Sequence, residues 1–320
     1  MDLTKVRSVI VGGAIGDALG VPVEFMSRKE LAITPVQEMR GFGTHNQPPG
    51  TWSDDTSMTL CLLESISRRQ KIDYDDIMNN FANWLTKTAF TAAHETFDIG
   101  IATQEAIARY LQGTKPLACG GKGEYDNGNG SLMRLSPLAL FFCQQQVKNT
   151  ADILLEAHRL SALTHGHPRS QMACGIYTLI LMNLLTGSSI PAAIENGLKR
   201  AHDFYRNNSA CQAEIPAFNR LWHWDTLQDL PNSAIRSSGY VVDTLEAVIW
   251  CLLNTASYAE CVLKAVNLGD DTDTIGAITG GLAGAAYGFA SIPPTWLDAL
   301  TGLAEIDALC QAFATSVSSC

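Results

Sequence analysis

Residues 269–288 read GDDTDTIGAITGGLAGAAYG: three carboxylates in four positions, Asp270, Asp271 and Asp273, and then no formal charge through Leu297. Glycines recur every fourth residue, at Gly276, Gly280, Gly284 and Gly288, and in a helix that spacing lays them along one stripe. A glycine inside a helix costs about 1 kcal/mol relative to alanine, so a stripe of them implies that another backbone has to come close. A matching series, Gly12, Gly16 and Gly20, stands near the start of the chain. We expect the two helices bearing these stripes to be central and tightly packed, with each other as candidate partners.

Outward from that stretch, helical spacing prevails. Ile77, Phe81, Trp84 and Leu85 fall on one face of a helix over 74–87, and the same reading predicts helices near 58–69, 132–142, 152–163, 171–186, 241–255, 258–267, 275–290 and 303–316. The alternation expected of half-buried strands is almost absent, so the predicted fold class is all-α. Clusters of Gly, Pro and Asn mark loops at 40–52, 119–131 and 207–240. None is long and polar enough to link domains. We therefore expect one domain over 1–320, with the 207–240 region as a decoration carrying Trp222, His223 and Trp224.

Hydrophobic residues make up 46% of the 320 and charged ones 17%, the composition of a chain with a large interior. The net charge of -10 argues against a phosphate-backbone grip on nucleic acid, which needs a basic surface. Nine cysteines are scattered singly with no CxxC pair, so neither a disulfide framework nor a zinc ribbon is indicated, and a reducing cytoplasm is the expected location. Two uncharged runs, 170–194 and 274–297, are long enough to span a bilayer. Their small residues and prolines favour soluble core instead, and no membrane partner is expected.

The acidic cluster needs an explanation, because like charges repel and the helix after it reads as buried. Carboxylates gathered at the start of a buried helix would protonate or destabilise the fold unless a cation neutralised them. Residues 50–57, GTWSDDTS, hold a second cluster, with Asp54 and Asp55 between the hydroxyls of Ser53 and Thr56. Carboxylates and hydroxyls are hard ligands that select Mg2+, Mn2+ or Ca2+ over zinc or copper, and this many suits two ions. An EF-hand starting at Asp271 fails, since Ile275 and Leu282 stand where oxygen ligands are required. A DxDxT phosphatase loop would follow a buried strand, which is not predicted here. His202-Asp203 admits a His-Asp metal phosphohydrolase, on a dipeptide alone.

With both clusters in view, the sequence resembles the ADP-ribosylglycohydrolase family, including its dinitrogen-reductase-activating and ADP-ribosylarginine-directed branches. The likeness runs in order through GAIGDALGVPVEF (13–25), GTWSDDTSM (50–58), FDIGIATQEAI (97–107), NGNGSLMRLSPLAL (127–140), THGHP (164–168) and GDDTDTIGAITGGLAGAAYG (269–288). The resemblance implies a compact orthogonal bundle of many helices and a binuclear site holding two Mg2+ or Mn2+ ions. It assigns Ser53, Asp54, Asp55, Asp271, Asp273 and Thr274 as metal ligands, with Asp270 a neighbour. Glu24 and Asp98 match acids near the reacting centre, Asp98 being favoured as the proton handler. Asn127, Gly128, Asn129, Gly130 and Ser131 form a loop that could cradle a diphosphate through backbone amides, while His165 and His167 match residues lining the ligand cleft.

The implied reaction removes ADP-ribose from a modified target, most readily the guanidinium nitrogen of an arginine. Partners are then an ADP-ribosylated protein or small-molecule adduct, with ADP-ribose as product. The rival readings are a catalytically idle ADP-ribose-binding or immunity module, and the His-Asp phosphohydrolase.

Overall fold

A computed structural model describes residues 1–316 and shows, among them, sixteen α-helices and no β-strand, as the helical spacing predicts. In chain order they are α1 (Leu3–Gly20), α2 (Arg28–Ile33), α3 (Asp54–Arg69), α4 (Tyr74–Lys87), α5 (Ile101–Leu111), α6 (Ser136–Gln144), α7 (Thr150–Ala162) and α8 (Pro168–Leu185). There follow α9 (Ile190–Arg206), α10 (Asn219–Trp222), α11 (Trp224–Gln228), α12 (Val241–Leu253), α13 (Tyr258–Val266), α14 (Thr272–Tyr287), α15 (Pro294–Ala299) and α16 (Leu303–Ser316).

The two glycine-striped helices, α1 and α14, pack on each other along most of their length. A Cβ added at Gly16 would lie 2.0 Å from the Gly276 carbonyl oxygen, and one at Gly280 would lie 2.2 Å from that of Gly12. Nothing larger than hydrogen fits at these crossings. Contacts pair Gly12 with Gly280, Gly16 with Gly276 and Gly20 with Asp273, so the helices run antiparallel and the end of α1 meets the start of α14. Tyr258 on α13 donates to the Gly12 carbonyl (2.7 Å), and Thr272 donates to that of Gly20 (2.8 Å). Both helices are apolar nearly all round and are covered in turn: α3 and α16 lie on α1, while α8, α12 and α13 lie on α14.

Several boundaries differ from the sequence expectation. Helix α3 begins at Asp54 rather than Met58, and α14 begins at Thr272 rather than 275, so acidic residues of both clusters occupy first helical turns. A carboxylate near free N-terminal amides is favoured there, which is why the helices extend back over them. The helix expected over 132–142 starts at Ser136, with Pro137 in its first turn. Helix α9 was not anticipated. Its amphipathic pattern begins at Ile190, inside an uncharged run, and Gly197 lets it close on Ile180 of α8, where a Cβ would sit 2.7 Å from the isoleucine side chain.

The uncharged run over 170–194 is broken by the turn between α8 and α9, and the run over 274–297 by Gly288 at φ +84°. Among the described residues one other stretch, Leu3–Val23, is long and apolar enough to cross a bilayer, and 89% of its most apolar window is buried inside the bundle. Eight cysteines are free thiols, while Cys320 lies outside the described residues.

Gly16→Ala should lower stability by about 1–3 kcal/mol or more, because the added methyl must push the helices apart. Gly13→Ala, whose Cβ would meet the Ala277 oxygen at an ordinary 3.4 Å, should be neutral or slightly stabilising. Urea unfolding followed by circular dichroism distinguishes the two; equal losses would show that the crossing does not set the packing.

Candidate metal centre and cleft

Ser53 caps α3, and Asp17 reaches across from α1 to complete that cap. Asp17 accepts hydrogen bonds from the Ser53 amide (2.9 Å), the Thr56 amide (3.0 Å) and the Thr56 hydroxyl (2.6 Å). One acid of the first helix thereby sets where the third begins. Asp17 was missed in the sequence reading. Its signal was its isolation, since it is the sole charged residue between Arg7 and Glu24.

Two hundred residues further on, α14 delivers the second cluster to the same place. The Thr274 hydroxyl donates to Asp55 Oδ2 (3.1 Å), which also accepts from the Ser53 hydroxyl (3.2 Å). Asp17, Asp55 and Asp273 each bring a carboxylate oxygen within 4.8 Å of the others, and so do Glu24, Asp271 and Asp273. Asp271 N-caps α14 without bonding its amides, and accepts instead from Asn129 Nδ2 (2.7 Å). Asp54 is buried and lines the adjoining cleft. Asp270 stands apart, pairing its backbone with residues 25 and 26.

Burial dominates the electrostatics of this centre. It pushes Asp17 up to about 6 and holds Asp54, Asp55 and Asp273 well above the usual carboxylate range, with Asp55, Asp17 and Glu24 respectively the strongest repelling charges. Asp271 is raised by burial despite its Asn129 bond. Two oxygens, Asp55 Oδ1 and Asp273 Oδ2, are buried with no hydrogen-bond partner at all. Orphaned carboxylate oxygens at the centre of a hard-oxygen donor set are what a divalent cation would satisfy, so the residues present fit a hard divalent metal ion.

Beside this centre opens a cleft of about 420 Å³, lined by Glu24, Asp54, Asp98 and Asp271 together with residues 128–130 and His165. Glu24 follows a 3-10 turn at Val21–Val23, and burial, with Asp271 nearby, pushes it up to about 8. Asp98 precedes α5 at φ +59°, and burial, with Glu24 nearby, pushes it up to about 7. His165 is kept neutral, its pKa driven down to about 3 by burial and by Arg134. The buried Arg134 donates to the Gly130 carbonyl (2.7 Å) and the Thr164 hydroxyl (2.8 Å), tying the glycine loop to the histidine turn.

The other expected residues are distributed unevenly. Gly128, Asn129 and Gly130 face the cleft, whereas the Ser131 hydroxyl bonds Ser161 and Cys174 inside the core and the Asn127 side chain bonds Glu124 and Ser170. His167 caps α8. The 207–240 segment is more than a surface addition: the Ser237 and Gly239 carbonyls accept from the amides of Asp271 and Asn129 (both 3.0 Å). His202 stacks on Trp222 and Asp203 pairs with Lys199, so that dipeptide builds no metal pair.

The chain matches the model of the ADP-ribosylglycohydrolase family over residues 2–319. It is 34% identical to an ADP-ribosylarginine hydrolase of Serratia proteamaculans, across 97% of this chain and 78% of that one. It is 32% identical to the ADP-ribosyl-[dinitrogen reductase] glycohydrolase of Rhodospirillum rubrum, across 92% and 90%. A solved structure titled ADP-ribosylglycohydrolase-related protein complex superposes with a TM-score of 0.81 at 33% identity, covering 98% of both chains.

The raised carboxyls predict how stability depends on pH. With Asp17, Glu24 and Asp98 at about 6, 8 and 7 in the folded chain, the native state holds protons that the unfolded chain has already released. That contribution is complete below about pH 4 and is lost as pH rises through the folded values. In EDTA the melting temperature should therefore fall between about pH 5 and 8, and adding Mg2+ or Mn2+ should raise it more at the upper end of that range. A metal response that is independent of pH would contradict the shared-charge picture.

Proposed function

We propose that this chain, which belongs to the ADP-ribosylglycohydrolase family, hydrolyses the bond between the anomeric carbon of ADP-ribose and the guanidinium nitrogen of a modified arginine. It is a hydrolase of that family. The observation that carries the hydrolytic reading is the pair of carboxyls, Glu24 and Asp98, lining a cleft that opens onto the acidic centre. The relative named as an ADP-ribosylarginine hydrolase supports the arginine linkage.

Ser53, Asp54, Asp55, Asp271, Asp273 and Thr274, joined by Asp17, would hold two Mg2+ or Mn2+ ions, which when bound present positive charge to the ribose hydroxyls and orient the sugar. The remaining work falls to side chains of this protein. Breaking the C–N bond builds positive charge at the anomeric carbon and electron density on the departing nitrogen, which needs a proton. A carboxylic acid titrating near neutrality can hold that proton and give it up, and Asp98 has this property. Water then supplies the new C–O bond and loses its proton to the Asp98 carboxylate left by the first transfer, with Glu24 the second acid beside the reacting bond.

In the same cleft the Gly128–Gly130 backbone would give a diphosphate close access without basic side chains, which suits a chain of net charge -10. Neutral His165 adds a polar edge without a competing positive charge. The free thiols suit a reducing compartment, and we place the protein in the cytoplasm, acting on an ADP-ribosylated protein or small-molecule adduct.

Incubation with ADP-ribosylated agmatine should release ADP-ribose, and EDTA should abolish the release. Binding without turnover would favour an idle ADP-ribose-binding module, and faster release from a serine adduct would move the linkage from nitrogen to oxygen. Asp55→Ala and Asp271→Ala should lose turnover with their helical circular dichroism intact; near-normal activity in either would remove the metal assignment. Asp98→Asn should lower kcat by about 10²–10⁴-fold if Asp98 is the proton donor.

A further inference from the structure

Glu24 and Asp98 come from segments 74 positions apart, yet both touch one further side chain, His45 of the 40–50 loop. His45 Nε2 is paired with the Glu24 carboxyl and lies 3.7 Å from Asp98 Oδ1. Its ring is also held between the aromatic neighbours of the two acids, with centroids 5.2 Å from Phe97 and 6.2 Å from Phe25. One imidazole thus contacts both the Glu24–Phe25 and the Phe97–Asp98 pairs.

The loop that carries His45 is fastened to the Glu24 segment at three successive residues. Gly43 approaches so closely that a Cβ there would lie 1.7 Å from the Pro22 carbonyl oxygen. The Thr44 amide donates to that same carbonyl (3.1 Å), and its hydroxyl donates to the Glu24 carbonyl (2.6 Å). Both acids also adjoin or occupy left-handed backbone: Asp98 has φ 59°, and Phe25, next to Glu24, has φ 64°, a conformation that persists for a bulky residue only where the surroundings impose it.

We propose that His45 is a positioning residue for the hydrolysis: its imidazole ties Glu24 to Asp98 across the mouth of the cleft and sets how both carboxyls face the reacting bond. This rests on the reading above that those two acids handle the proton. His45 itself does not line the cleft and acts through the groups that do. An outer partner that orients a catalytic carboxyl affects the chemical step more than substrate capture, because the same ribose and diphosphate contacts remain available.

The experiment separates donor from shape. His45→Phe keeps a ring between Phe25 and Phe97 but removes the nitrogen, whereas His45→Gln keeps an N–H that can reach Glu24. On ADP-ribosylated agmatine, His45→Phe should lose kcat by about 10–100-fold with KM changed by less than about twofold, and His45→Gln should recover most of the loss. The proposal is overturned if His45→Phe keeps wild-type kcat, if His45→Gln is as slow as His45→Phe, or if the change lies in KM alone.

A wild-type protein that does not turn over the arginine adduct would defeat the functional reading instead. In that case hydrogen exchange over residues 22–27 decides the brace. Faster exchange in His45→Phe than in wild type or His45→Gln supports it, and unchanged exchange refutes it.

Discussion

The α1–α14 crossing, in which Gly12 and Gly16 meet Gly280 and Gly276 with no room for a Cβ, determines where the acidic groups of this protein can stand. Two antiparallel helices in backbone contact have almost no freedom to slide or separate, because their carbonyls and Cα atoms interlock rather than flexible side chains. The end of α1 is thereby held against the start of α14, and Asp17 against Asp273. Asp17 in turn accepts the free amides of α3, which brings Asp55 and Ser53 into the same volume. Each step passes a position from one helix terminus to the next.

That volume is one a metal-free chain occupies at a cost. Burying several carboxylates together is unfavourable unless they protonate or meet a cation, and replacing such groups by apolar ones often stabilises a fold. The hydroxyls of Ser53, Thr56 and Thr274 and the amide of Asn129 relieve part of the charge, yet Asp55 Oδ1 and Asp273 Oδ2 keep no partner. Buried Arg134 lies nearby but spends its hydrogen bonds on the glycine loop and on Thr164. An arrangement that leaves acceptors unused in the interior is better explained by what it binds than by what it contributes to stability.

The cleft is built in a similar way. Gly128 and Gly130 contribute backbone to its lining, and its polar groups are braced from behind: Asn129 by Gly239 and Thr244, His165 by Thr164, Glu24 by His45. The supporting contacts come from segments with little regular structure, among them the 40–50 loop and the end of the 207–240 segment. Helix termini therefore place the acidic centre, while loops brace the cleft beside it.

Much of this was legible in the order of the residues. Helical spacing, the two glycine stripes and the paired acidic motifs are local patterns, and each follows from a short-range rule: 3.6-residue periodicity, the backbone cost of glycine, the repulsion of neighbouring carboxylates. Family likeness then joined the motifs. Other features escaped because they are relations between distant residues. Asp17 looks like a stray charge until α3 lies across it, and Ser131 belongs to the loop motif in sequence although its hydroxyl turns into the core toward Ser161 and Cys174. His45 carries no signal of its own among seven histidines. Sequence alone determined the all-α class, most of the long helices and which residue types could hold hard cations. Only the tertiary structure decided which of those residues share one volume, because the relevant separations are set by how far two backbones can approach, a quantity no single stretch of chain contains.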